Sequence, residues 1–163
     1  FIAGVLNRYE NGWVDYLTPS PYSSPPRRGR GKGEGELLRG MEGQKQILGK
    51  EGERIAEIYL RKKGYRVVER NYRCPVGELD LILLDRRVVV FVEVKTRSDD
   101  RFGAPLESVG PRKQKKMIKT ALFFLTRHRL HNRDARFDVV GISYQGGEPM
   151  VEHVENAFEV VIR

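Results

Sequence analysis

Three charged residues interrupt two apolar runs: Asp80 in Leu79-Asp80-Leu81-Ile82, and Glu93 with Lys95 in Phe91-Val92-Glu93-Val94-Lys95. A charge within a buried strand is costly unless it is paired or holds a ligand. The runs Leu79 to Leu84 and Val88 to Val94, separated by Asp85-Arg86-Arg87, read as the strands of a hairpin. With its turn centred between Arg86 and Arg87, Asp80 faces Glu93, Glu78 faces Lys95, and all four side chains share one face. Carboxylates whose Cβ atoms stand about 4.5 to 5.5 Å apart repel each other unless a cation lies between them. Hard oxygen ligands with no His or Cys beside them suit Mg2+ or Mn2+ better than zinc. A competing reading pairs Glu78 with Lys95 and Asp80 with an arginine as salt bridges at a strand end. A bulge or an odd-length turn would move Asp80 and Glu93 to opposite faces.

Other elements must hold that hairpin. Leu48, Ile55, Ala56, Tyr59 and Leu60 recur at helical spacing and Gly64 supplies a stop, which predicts a first helix from about Leu48. Tyr65 to Tyr72 reads as a strand ending near Pro75-Val76-Gly77. Pro111, followed by Met117, Ile118, Ala121, Leu122 and Leu125, marks a second amphipathic helix. Phe137 to Tyr144 is a further strand, with Val151 to Val154 and Phe158 to Ile162 as shorter edge candidates. The order α-β-β-β-α-β defines an α/β fold, a central mixed β-sheet flanked by helices.

The 163 residues suit one compact domain, and no apolar run approaches the roughly 20 residues of a membrane span. Residues 20 to 40 are rich in Pro, Ser, Gly and Arg and are expected to be disordered. We therefore place a non-core N-terminal extension at 1–43 and the domain at 44–163. Phe1 to Leu6 is too short for a secretory core and no basic residue precedes it, which predicts a cytoplasmic protein. Cys74 is the only cysteine and is read as an ordinary reduced thiol.

Lys and Arg number 30 against 22 Asp and Glu, giving +8, so a polyanion is the expected partner and no membrane. Nine basic residues against the single acid Asp134 fall between Gly110 and Arg136. Such a run is either a solvated face or a nucleic-acid surface. His128 and His131, in this polar stretch, read as solvated surface residues.

Gly77-Glu78-Leu79-Asp80, twelve intervening residues, then Glu93-Val94-Lys95 resembles the signature of the PD-(D/E)XK nucleases. Together with Leu48-Gly49-Lys50-Glu51-Gly52-Glu53, Arg70-Asn71-Tyr72-Arg73 and Arg136-Phe137-Asp138-Val139, it makes residues 44 to 160 similar to the YraN-like family of uncharacterised bacterial predicted nucleases. The resemblance implies a restriction endonuclease-like core. It implies that Asp80 and Glu93, with the Val94 carbonyl, bind Mg2+ or Mn2+, and that Lys95 orients water and stabilises charge at a phosphate. Glu53 on the first helix is the fourth catalytic candidate, and Glu78 is either a supporting partner of Lys95 or a ligand. Arg112, Lys113, Lys116 and Lys119 would then contact phosphates without reading sequence, with Gln114 beside them, while Lys113 and Gln114 also stand roughly where some relatives carry a further active-site residue. Relatives of this fold often pair to cut two strands, so a homodimer is an expectation of the resemblance alone.

Two classes of function follow. One is a metal-dependent nuclease hydrolysing DNA, selective for branched or recombination and repair intermediates. The other is a non-catalytic nucleic-acid-binding module of the same fold, acting in a repair or uptake assembly. RNA as the polymer stays open.

Overall fold

In the computed structural model of the chain, residues 36–97 and 109–159 are described. Their elements are α1 (Glu36–Lys62), β1 (Arg66–Cys74), β2 (Gly77–Asp85), β3 (Val88–Thr96), α2 (Pro111–Arg127), β4 (Ala135–Gln145) and β5 (Glu148–Val154). The strands form one sheet in chain order, β1-β2-β3-β4-β5. β3 and β4 run parallel and every other neighbouring pair is antiparallel, so the sheet is mixed as expected. The α-β-β-β-α-β order is realised, and β5 extends it by one edge strand around the Val151 to Val154 run. Phe158 is no strand residue but lies in a bend, its ring stacked on Phe137 at 4.8 Å between centroids. Residues 160–163 fall outside the described residues.

The two helices cover opposite faces. Ala56 and Leu60 of α1 pack on Leu81, Leu83, Val90, Val92, Val94, Val140 and Ile142. Met117, Ala121, Phe124 and Leu125 of α2 pack on Leu79, Ile82, Leu84, Val89, Phe91, Phe137 and Val139. Strands covered on both faces can be apolar at every position, which is why β2 and β3 read as continuous runs. Leu122, expected in the apolar stripe, is 42% exposed. It follows Met117 by five positions, well off the face that 3.6 residues per turn returns to the sheet, and Phe124 fills the core instead.

Helix α1 starts at Glu36, so the boundary expected after residue 43 falls inside a helix. Residues 1–35, most of the stretch expected to be disordered, lie outside the described residues. The stop at Gly64 holds: its φ of +94° is left-handed, and Tyr65 N–H donates back to the Leu60 carbonyl at 3.1 Å. No helix among the described residues is long and apolar enough to cross a membrane.

Two glycines set how closely the helices approach. A Cβ on Gly52 of α1 would collide with the Thr96 side chain at the end of β3. A Cβ on Gly77, at the start of β2, would meet Thr120 Oγ1 at 2.5 Å and Lys116 Cγ at 3.0 Å on α2. Both contacts lie at the end of the sheet where the charged residues gather.

Candidate functional site

The hairpin has the expected register over most of its length, from Asp85 opposite Val88 to Leu81 opposite Val92. There the β2–β3 ladder ends, while β3 continues to pair with β4 from Val89 through Thr96. The two strands thus part at the end bearing Asp80 and Glu93, leaving one edge of β3 with no strand beside it among the described residues. Asp80 fills that position with its side chain: its Oδ2 accepts a hydrogen bond from the Val94 N–H at 2.7 Å. In a strand the N–H and C=O of one residue point to the same edge, so the Val94 carbonyl opens onto the same gap.

Glu93 is buried, its side chain 3% exposed. Oε1 accepts from Lys95 Nζ at 2.5 Å and from Lys113 Nζ at 2.7 Å. Oε2 is buried with no hydrogen-bond partner among the described residues. A buried carboxylate oxygen without a donor costs about 1–3 kcal/mol or more, a debt that a hard cation would remove. Burial first, then the charge of Glu93 and, more weakly, of Glu53, push the Asp80 carboxyl up to about 7, against the opposing pull of the Val94 N–H and of Lys113. Glu53, half-buried on α1 one residue past the Gly52–Thr96 contact, is therefore near enough to act on Asp80 by its charge. Among the described residues no three His, Cys, Asp or Glu side chains gather at metal-binding spacing. What the described residues offer a hard cation at this point is two carboxylates and the Val94 carbonyl, a set that fits Mg2+ or Mn2+ with water completing the shell.

The geometry differs from the expected four-residue face in one respect. Glu78 does not meet Lys95; it is exposed and pairs across β1 with Arg73 at 3.5 Å. The hairpin has parted before Glu78 is reached, so Lys95 turns to Glu93 on its own strand. The arginine pairing expected for Asp80 is replaced at Oδ2 by the Val94 backbone amide.

On α2, Arg112, Lys116 and Lys119 are exposed, as a nucleic-acid surface would require. Lys113 and Gln114 face elsewhere. Lys113 gives its ammonium to Glu93, and Gln114 Nε2 donates to the Val109 carbonyl at 2.9 Å, tying down the turn that enters the helix. Lys113 thus joins the acidic grouping from an element that the hairpin pattern alone did not include.

A second polar cluster, which sequence reasoning missed, lies near the other end of the sheet. Arg136 donates to Asp138 at 3.0 Å, to Asp85 at 2.9 Å and to the Tyr65 hydroxyl at 2.7 Å. His153, with a side chain 1% exposed, bonds Asp138 at 2.9 Å through Nε2. Its Nδ1 stands 3.1 Å from Lys63 Nζ. An ammonium only donates and a carboxylate only accepts, so Nδ1 accepts and Nε2 carries the hydrogen. Burial would raise the Asp138 carboxyl, but bonds from His153, Arg136 and the Asn156 N–H outweigh it and hold it low. Every member of this cluster has a partner within it, which makes it a structural tie. The signal available was Asp138 inside the apolar run Phe137 to Val140. His128 departs from the expected solvated residue, being half-buried with its ring 4.3 Å from that of Phe124, whereas His131 is exposed.

The fold and site together define an α/β domain with a mixed sheet and an acidic pair bracketed by lysines where two strands separate. The model of the uncharacterised protein family UPF0102 matches residues 52–142, a span containing Glu53, Asp80, Glu93, Lys95 and Lys113. The chain belongs to this family, which is the YraN-like family. It is 46% identical over 112 residues to a UPF0102 protein of Syntrophus aciditrophicus, covering 69% of this chain and 88% of that one. A UPF0102 protein of Geobacter metallireducens is 43% identical over 113 residues, covering 69% and 93%. One from Pelobacter propionicus is 48% identical over 115 residues, covering 69% and 82%. Among solved structures, the Pyrococcus furiosus SfsA complex with Ca2+ is similar at a TM-score of 0.32 and 15% identity, over 71% of this chain and 65% of that chain.

Proposed function

We propose that the protein is a Mg2+- or Mn2+-dependent nuclease that hydrolyses DNA phosphodiester bonds and selects branched or recombination and repair intermediates by shape. The observation that carries this reading is the unpartnered Glu93 Oε2, buried next to an Asp80 carboxylate that burial and like charge have made reluctant to ionise. A protein that only bound a polyanion would gain nothing from burying acids on the surface that meets it. Asp80, Glu93 and the Val94 carbonyl are the groups we assign to the metal. A bound divalent cation supplies Lewis acidity and lowers the pKa of a water molecule.

The chain's own residues do the rest. Lys95 and Lys113 hold Glu93 in place through Oε1, and each ammonium keeps further N–H donors for an anionic oxygen, suited to a phosphate as negative charge grows. Glu53 adds its charge, after burial and Glu93, to what raises the proton affinity of Asp80. Arg112, Lys116 and Lys119 supply sequence-independent attraction. No base-reading module accompanies them in the sequence, so shape rather than base order would select the substrate.

The test is calorimetric titration of Mg2+ and Mn2+ into the wild type and an Asp80→Ala/Glu93→Ala variant, alongside cleavage of labelled single-stranded, duplex and four-way-junction DNA. Uptake and cutting that both disappear in the variant are expected, with the junction cut fastest. Salt-dependent DNA binding with neither metal uptake nor cleavage in the wild type would instead establish the binding-module reading.

A further inference from the structure

Asp80 lies at a point where the strand pattern turns over. Leu79 packs on the α2 face together with Ile82 and Leu84, while Leu81 and Leu83 pack on the α1 face. Residues 79 and 82 cannot share a face in an uninterrupted strand, where sides alternate at every residue. Strand β1 turns over at the same level. Arg70 is paired with Leu81 and reaches Glu57 of α1 at 2.7 Å, whereas Tyr72 is paired with Leu79 and packs edge-on against Phe124 of α2. The ladder passes from Arg70–Leu81 to Tyr72–Leu79, stepping over Asn71 and Asp80. With β3 having parted by then, Asp80 is outside the ladder on both of its edges.

Asn71, facing Asp80 across this step, has a φ of +49°. That left-handed conformation is uncommon for residues with a Cβ, is tolerated best by Asn, Asp and Gly, and is hostile to β-branched residues. A strand that reverses faces needs a residue that departs from extended geometry, and in β1 Asn71 is that residue. We infer that Asn71 is a positioning residue: its left-handed backbone turns β1 and β2 over, and this aims the Asp80 carboxylate at the Val94 N–H and into the gap beside Glu93. The inference rests on the nuclease reading for its catalytic consequence, but the placement of Asp80 stands independently of any metal.

The test compares Asn71→Val with Asn71→Gly in the metal-free protein by amide hydrogen exchange, and then by Mn2+ titration. In Asn71→Val the Val94 amide is expected to exchange about tenfold faster while Leu83 and Val90 keep wild-type rates, and Mn2+ affinity to fall about tenfold. Asn71→Gly, which reaches the same φ without a Cβ, is expected to restore both within about twofold. Should Asn71→Val fail to fold, Asn71→Ala carries the same comparison under the milder strain of a single methyl. Unchanged Val94 protection in the variant that folds overturns the inference, as does a Gly variant as impaired as the others. If Val94 responds as described but the wild type takes up no Mn2+, the positioning stands and the metal reading falls.

Discussion

With its proton affinity raised from the ordinary 3.8 to about 7 by burial and by Glu93, Asp80 makes the metal-free fold less stable as pH rises through the interval between those values. A raised folded-state pKa adds stability that is complete below pH 3.8 and is lost as pH climbs through about 7. Asp80→Asn keeps an oxygen for the Val94 N–H and deletes the titration. At pH 8.5 it should be more stable than the wild type by on the order of 2 kcal/mol, with the two converging at low pH. Urea denaturation of both proteins in metal-free buffer measures this, and parallel pH profiles would contradict it. The Arg136 cluster gives the opposite behaviour. Arg136→Met leaves Asp138, 0% exposed, with His153 and the Asn156 N–H but no fixed counter-charge, and should cost about 3–5 kcal/mol. Arg136→Lys should recover little, since one ammonium cannot reproduce the planar fork that serves Asp85, Asp138 and Tyr65 together. Protein that remains folded should bind Mn2+ as the wild type does, because the cluster holds the scaffold rather than the acids.

Among the elements, α1 determines where Glu53 stands. Gly→Ala inside a helix ordinarily stabilises by about 0.5–1 kcal/mol, but at Gly52 the new methyl would strike Thr96 and lift the helix from the end of β3. Gly52→Ala should therefore destabilise by about 1–3 kcal/mol, the cost of overpacking, and Thr96→Ala should recover part of it in the double variant. Thermal unfolding of the single and double variants decides the sign. The same scale explains what could be read from the sequence. β2 and β3 were legible because strands buried on both faces leave unbroken apolar runs, and α2 because Pro111 and the 117, 121, 125 spacing agree with each other. Asp80, Glu93 and Lys95 stood out as charges within those runs. The Glu78–Lys95 pairing failed because β2 and β3 part beyond Leu81 and Val92, next to the reversal of faces at Asn71 and Asp80, and no pattern of residue types records where a hairpin parts. Lys113 beside the acids was suggested by the resemblance alone and not by any pattern of residues, and His153 buried beside Asp138 by neither, because both depend on elements meeting that are far apart in the chain. The early start of α1 was hidden by Gly40, Gly43 and Gly49, poor helix formers that composition alone assigns to a loop.

Over the whole molecule, the charge of +8 is spread unevenly, and the exposed side of α2 presents Arg112, Lys115, Lys116 and Lys119 at the same end as the acids. If this side holds the DNA backbone, Lys116→Ala/Lys119→Ala should weaken binding equally for unrelated sequences and reduce the slope of log K against log salt by about 1 to 2. Fluorescence anisotropy at several salt concentrations would show it, and an unchanged slope would move the contact surface elsewhere. The sequential strand order, finally, bears on how the molecule assembles. β1 with β2, β2 with β3, and β4 with β5 close across short turns, whereas β3 meets β4 only after the chain has passed through α2. Closing the longer loop costs more entropy, so this pairing should come late, and pulsed hydrogen exchange should protect Leu83 and Val90 before Val139. During folding the two acids are thus brought together with only Lys95 beside Glu93, and Lys113, the second ammonium that settles it, arrives from an element still at large.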